Sequence, residues 1–223
     1  MRPGPTTLGP EMRPEEQALL LDMLGSISPG ARCLEVGTAA GGTLVRMLAS
    51  RDARDGTKFV VVDPMKYFPG QLETVRRNLS DHGLDPARVE FRVQTSAAAL
   101  RAARRRGETF RFMVIDGVHK IMGVTGDLRW LWLLEPGGVA CFHDYWRRQA
   151  GVYLPVTRFL KRRDNYEHIA LAGSLLALRK ARASPRPEVG LSDWAYACLW
   201  YLPLQIQRKL AKLSARMRRA PLP

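Results

Sequence analysis

Long apolar runs are scarce in this chain. The aromatic-rich stretch from Leu191 to Leu204 holds Trp194, Tyr196, Trp200 and Tyr201, but it is mixed in character and carries Pro203. It falls short of the roughly 20 apolar residues that a bilayer span requires. The N-terminal Met1-Arg2-Pro3-Gly4-Pro5 leads into no apolar signal core, so export is not expected. Cysteine is equally sparse: Cys33, Cys141 and Cys198 are odd in number, widely separated and set in apolar runs. That pattern argues against a disulfide framework or a thiolate metal site and reads as reduced, buried thiols of a cytosolic protein. Acids are outnumbered, 21 Asp and Glu against 35 Lys and Arg, for a formal net charge of +14.

A length of 223 residues suffices for one well-packed domain with extensions, and 46% hydrophobic residues is ordinary for a globular chain. So large a positive charge favours anionic partners: nucleic acid, phospholipid headgroups or an acidic substrate. Internal clusters such as Arg104-Arg105-Arg106 and Lys161-Arg162-Arg163 also suit a plain solvated surface.

The segment Leu34-Glu35-Val36-Gly37-Thr38-Ala39-Ala40-Gly41-Gly42-Thr43 reads as strand, tight loop and helix start, and Asp63 ends the next apolar run, Phe59-Val60-Val61-Val62. Glycines let the backbone approach a ligand, and an acid at the tip of the second strand can accept from both ribose hydroxyls. A pyrophosphate site wants G-x-G-x-x-G, whereas here three residues separate Gly37 from Gly41 and Glu35 precedes the loop. A carboxylate there repels a pyrophosphate but suits a ligand with an ammonium and a sulfonium. S-adenosylmethionine is such a ligand. The plainer alternative leaves Glu35 as a cap and Asp63 as a turn residue before Pro64.

From Arg32 onward strands near 32–36, 58–63, 88–93, 110–116 and 138–143 alternate with helical stretches. The predicted fold is therefore α/β, a Rossmann-like, doubly wound, mostly parallel sheet. Two runs around Gly173, His168 to Leu171 and Ser174 to Leu178, suggest an antiparallel pair closing it. An acid-started helix, Glu15 to Leu24, precedes the first strand and is expected to cover one side of the pocket. The organisation expected is a helical lead-in over 1–29, a cofactor-binding catalytic domain over 30–182, and a linker with a basic helical tail over 183–223. In that tail Ile206, Leu210, Leu213 and Met217 form one apolar stripe, with Arg208, Lys209, Lys212, Arg216 and Arg219 largely on the other side. Such a helix fits an anionic membrane surface, or packs on the domain or on a second subunit as a homo-oligomer would require.

The ordered motifs resemble the class I S-adenosylmethionine-dependent methyltransferases. The likeness runs from the Glu35 loop and Asp63 through Ile115-Asp116-Gly117-Val118-His119 to Phe142-His143-Asp144-Tyr145. Within that family the arrangement is similar to the branch of metal-dependent macrolide-sugar O-methyltransferases and cephalosporin-hydroxylase-like proteins. The resemblance implies that Glu35, Gly37, Thr38, Gly41, Gly42, Asp63, Ser96 and Asp116 line the cofactor. It also implies that His119 is the base, with Asp116 and Asp144 beside it, and that Asp116, His143 and Asp144 hold a divalent cation, Mg²⁺ or Mn²⁺. His143 stands where relatives often carry glutamate; an imidazole suits Mn²⁺, Fe²⁺ or Zn²⁺ better than Mg²⁺. Gln94-Thr95-Ser96 replaces the relatives' Gly-Asp-Ser, and Ile121 a tyrosine.

The implied activity is methyl transfer to a hydroxyl of a sugar, glycan or other specialised small molecule, in the cytoplasm or peripheral to the inner face of the membrane. Nucleic acid is not the expected substrate. The Asn/Asp-Pro-Pro-aromatic motif of base-amino methyltransferases is missing after strand four, and no RRM-type aromatic signature is present. Two other classes remain open, a non-catalytic cofactor-binding protein and a metal-dependent oxygenase on the same scaffold.

Overall fold

The computed structural model describes residues 12–217, with side chains described to residue 210. The first strand, β1 (Arg32–Val36), lies between β2 (Lys58–Asp63) and β4 (Phe110–Ile115), and β3 (Val89–Val93) forms one edge. On the far side come β5 (Leu134–Phe142), β7 (Leu175–Lys180) and β6 (Tyr166–Ala172), giving the order β3-β2-β1-β4-β5-β7-β6. The first five strands run parallel and β7 is antiparallel to both of its neighbours, as the sequence predicts. One boundary differs: β5 begins at Leu134 rather than near 138. Its pairing with β4 shifts between Phe110 and Phe112, so the strand passes through Pro136-Gly137 as an irregularity instead of starting after them.

Alternating side chains sort the strands between two cores. Cys33, Phe59, Val61, Phe112, Val114 and Cys141 face the helices α1 (Pro14–Gly25), α2 (Gly42–Ala49) and α3 (Gln71–Asp81). Leu34, Val36, Val60, Val62, Met113 and Phe142 face α4 (Ser96–Arg105), α5 (Ile121–Asp127) and α6 (Ala150–Arg162). Both faces of the sheet are therefore covered. The winding direction reverses between β1 and β4, and in open parallel sheets the crevice at such a reversal, beyond the carboxyl ends of the strands, is where ligands bind.

The aromatic-rich stretch and the basic amphipathic tail form one helix, α7 (Leu191–Met217), which continues through Pro203. Proline leaves the carbonyl four residues earlier without its helical donor. That residue, Leu199, is exposed, so water can take the role. Leu204 and Ala197 are buried against Ile121, while Ile206 and Leu210 are 58% and 61% exposed. The part of the apolar stripe that is described thus points away from the domain. The side chains of Lys212, Leu213, Arg216 and Met217, and all of Arg219, lie outside the described residues. Among the described residues no helix is long and apolar enough to cross a membrane.

Cys33 and Cys141 are buried, as expected, and burial pushes both thiols up to about 12. Cys198 is a correction: it is exposed, because it lies on the outer side of α7 while its neighbour Ala197 takes the buried position.

Candidate active site

The loop after β1 is shaped by its glycines. Gly37 has φ +84°, and a Cβ there would lie 2.4 Å from the carbonyl oxygen of Asp116, so only glycine lets this loop press against the end of β4. The Gly37 amide donates to Val62 and the Thr38 amide to Asp63 Oδ2 at 3.1 Å, tying the loop to the end of β2. Asp63 Oδ1 accepts from the Met65 amide at 2.6 Å. Each carboxylate oxygen keeps a second lone pair, which is what a vicinal diol needs. Gly41 (φ +87°) caps α2, whose first residue is Gly42, and Glu35 is buried on the face of β1 that carries Cys33.

Ser96 opens α4 and sits below the same rim. It accepts from Trp130 Nε1 at 2.9 Å and donates to Asp127. Asp127 was not legible as a site residue: nothing near Gly126-Asp127 resembles a motif. Burial pushes its carboxyl up to about 6, against the opposing hydrogen bond from Ser96.

The ends of β4 and β5 bring the second group together. Asp116 Oδ1 lies 3.2 Å from His143 Nδ1 and 3.5 Å from His119 Nε2, which also stands 3.3 Å from Asp144 Oδ2. Gln149, from the segment entering α6, places its amide nitrogen 3.4 Å from His119 Nδ1. Asp144 holds this position at φ +58°, a conformation that costs a non-glycine residue on the order of 1 kcal/mol or more and that clusters at functional sites.

The electrostatics follow from the pairing. The Asp116 carboxylate, 3.5 Å from Nε2, raises His119 above its ordinary value; burial opposes this, and the charge of Asp144 adds to it. For His143 burial works downward, yet Asp116, Asp144 and Glu16 outweigh it and lift the ring to about 9. Burial would raise Asp116, but His119 and His143 hold it below the usual carboxylate range. Ligand atoms of Asp116, His143 and Asp144 all lie within 4.8 Å of one another, close enough to share one cation. A carboxylate pair with one imidazole is a donor set that borderline divalent metals accept. The residues present therefore fit the ion.

Beside this cluster α1 and the β6–β7 turn wall a cavity of about 440 Å³, lined by Met12, Arg13, Glu16, Trp146 and Ser174 together with His143 and Asp144. Helix α1 thus forms one wall of the cavity beside His143 and Asp144.

Residues 34–145, half of the chain, match the model of a methyltransferase domain. The chain belongs to that methyltransferase family. No curated protein matches it. Among solved structures it resembles the O-methyltransferase from Bacillus cereus in complex with S-adenosylhomocysteine, at 20% identity and TM-score 0.61, over 76% of this chain and 83% of that one. It also resembles the O-methyltransferase TomG from Streptomyces achromogenes, involved in tomaymycin synthesis, in complex with S-adenosylmethionine. Identity there is 16% and the TM-score 0.62, over 77% and 81% of the two chains. A third is CalS11, a TDP-rhamnose 3'-O-methyltransferase of calicheamicin biosynthesis: 16% identity, TM-score 0.59, 75% and 77% coverage. At these identities the likeness is one of fold, the Rossmann-like methyltransferase fold that the strand order displays.

Proposed function

We propose that this methyltransferase moves the methyl group of S-adenosylmethionine to a hydroxyl of a sugar, glycan or other specialised small molecule. The observation that carries the reading is the position of His119. Its imidazole stands at the rim where the Gly37 loop meets β4, with Asp116 and Asp144 within 3.5 Å. The cofactor supplies an electrophilic methyl on a sulfonium whose departure needs little help, so the protein's task is to align the acceptor and take its proton. His119 takes the hydroxyl proton, and the two carboxylates stabilise the imidazolium that results. Asp63 orients the donor through its ribose, Glu35 and the Gly37 to Gly42 loop accommodate the cationic end, and Ser96 borders the adenine. The cavity beside His143 and Asp144 receives the acceptor.

A divalent cation held by Asp116, His143 and Asp144 would supply a positive charge against which an acceptor oxygen sheds its proton more readily. Activity is tested by donor consumption with a panel of nucleotide sugars and hydroxyl-rich extracts, followed by mass spectrometry. The expected product gains one CH2 in mass, and His119→Gln abolishes the gain. Tight donor binding with no turnover on any acceptor would instead favour a non-catalytic cofactor-binding protein. Fe²⁺-dependent oxygen uptake indifferent to S-adenosylmethionine would favour an oxygenase.

A second proposal concerns location. The exposed stripe of Leu199, Leu202, Ile206 and Leu210, flanked by Lys209, favours α7 as an interfacial helix that parks the enzyme on an anionic membrane surface.

A further inference from the structure

Glu16 lies in the first turn of α1, far from the other site residues in sequence, yet its carboxylate is buried and aimed at His143. Oε1 accepts from the Ser174 amide at 2.6 Å and from the Ser174 hydroxyl at 2.8 Å. Oε2 accepts from the Arg13 amide at 2.8 Å and faces His143 Nε2 at 3.4 Å. The neighbouring turn is shaped around it. A Cβ on Gly173 would stand 2.5 Å from Glu16 Oε1, so a glycine is needed there for the carboxylate to enter. Three separate elements, α1, the β6–β7 turn and the end of β5, therefore converge on one acid whose other side touches a single imidazole.

An imidazole that donates Nε2–H to a carboxylate presents the lone pair of Nδ1 on its opposite edge. In this protein that edge points at Asp116 Oδ1, 3.2 Å away, where a bound cation would displace the proton that otherwise lies between the two. Two ligands bound about 2.1 Å from one ion at right angles stand about 3 Å apart, so the spacing is that of neighbours in one coordination shell. Replacing an acid by His143 removes one negative charge from the cluster. Glu16 returns it from behind.

We propose that Glu16 is the positioning residue of a carboxylate–histidine–metal relay. It fixes His143 as an Nδ1 ligand and biases the site toward Mn²⁺, Fe²⁺ or Zn²⁺ over Mg²⁺. This rests on the cation reading above and goes beyond it by assigning the lead-in helix a part in the site.

The test is Mn²⁺ affinity, measured by calorimetry and by the electron paramagnetic resonance of the free ion, on the full chain and its Glu16→Gln, His143→Asn and doubly substituted variants. Glu16→Gln is expected to weaken Mn²⁺ 10- to 100-fold, leave S-adenosylmethionine affinity unchanged, and have no further effect once His143 is Asn. Mn²⁺ should bind the wild type at least 10-fold more tightly than Mg²⁺. Unaltered Mn²⁺ affinity in Glu16→Gln, or an equal loss in the His143→Asn background, overturns the relay while leaving the cation reading intact. A wild type that transfers methyl groups but takes no Mn²⁺ overturns both. Should Glu16→Gln not fold, ¹⁵N-resolved spectra of the Zn²⁺-loaded wild type decide. They should show His143 ligated through Nδ1 with a proton on Nε2, and ligation through Nε2 overturns the proposal.

Discussion

At the scale of single residues the site is governed by how charges are paired. His119 is lifted above its ordinary value of 6.5, first by the adjoining Asp116 carboxylate and then by the charge of Asp144. The neutral ring is the form that accepts a proton, so kcat/KM should fall as the pH drops through a midpoint above 6.5. Removing the charge of Asp144 lowers that pKa, so Asp144→Asn should move the acid limb toward lower pH. A pH profile of both proteins checks this. Asp127 behaves oppositely to a paired carboxylate. Its folded-state value is raised from 3.8 to about 6, so folding stability is greatest where both states are protonated and is lost as the pH rises from about 4 to about 6. Asp127→Asn still accepts from Ser96 without the buried charge. It should stabilise the protein at neutral pH by at most about 3 kcal/mol, a gain that disappears below about pH 4. Thermal melts at the two pH values measure it.

At the scale of elements the decisive contact is between the β1 loop and the end of β4. Gly37→Ala must both leave φ +84° and displace the backbone of Asp116. It is expected to lower the melting temperature and weaken donor binding together, a result that a substitution of a merely mobile loop glycine would not produce. Strands β1 and β2 were legible to the residue because β-branched runs bounded by glycine or by Asp63-Pro64 leave little choice of limits. The start of β5 was not, since proline and glycine normally mark an end and here mark an irregular strand. Helix α7 continues through Pro203 because the residue whose carbonyl is freed, Leu199, is exposed to water. The glycine loop and the Asp116 to Asp144 cluster could be read from local motifs. Glu16, Asp127 and Gln149 could not, because their roles arise from contacts across the fold, over 127 residues in the case of Glu16 and His143.

At the scale of the whole molecule, the proposed membrane contact would combine the net charge of +14 with helix α7. The helix is anchored on one side, where Arg158 pairs with Asp193 at 3.1 Å and Arg208 donates to the His119 carbonyl, and it turns Ile206 and Leu210 outward. Flotation with vesicles of anionic lipid should carry the protein upward, zwitterionic vesicles should not, and salt should release it. Ile206→Glu with Leu210→Glu should abolish flotation. A concentration-dependent dimer that these changes dissociate would assign the stripe to a second copy instead. The proposed methyl transfer requires the crevice between β1 and β4 to hold S-adenosylmethionine by its ribose. Calorimetric titration of that cofactor into the wild type and Asp63→Asn is therefore the most direct measurement. Loss of a charged acceptor for two hydroxyls should weaken binding about 10- to 100-fold. Equal affinity in the two proteins, or no binding to the wild type, would contradict the account.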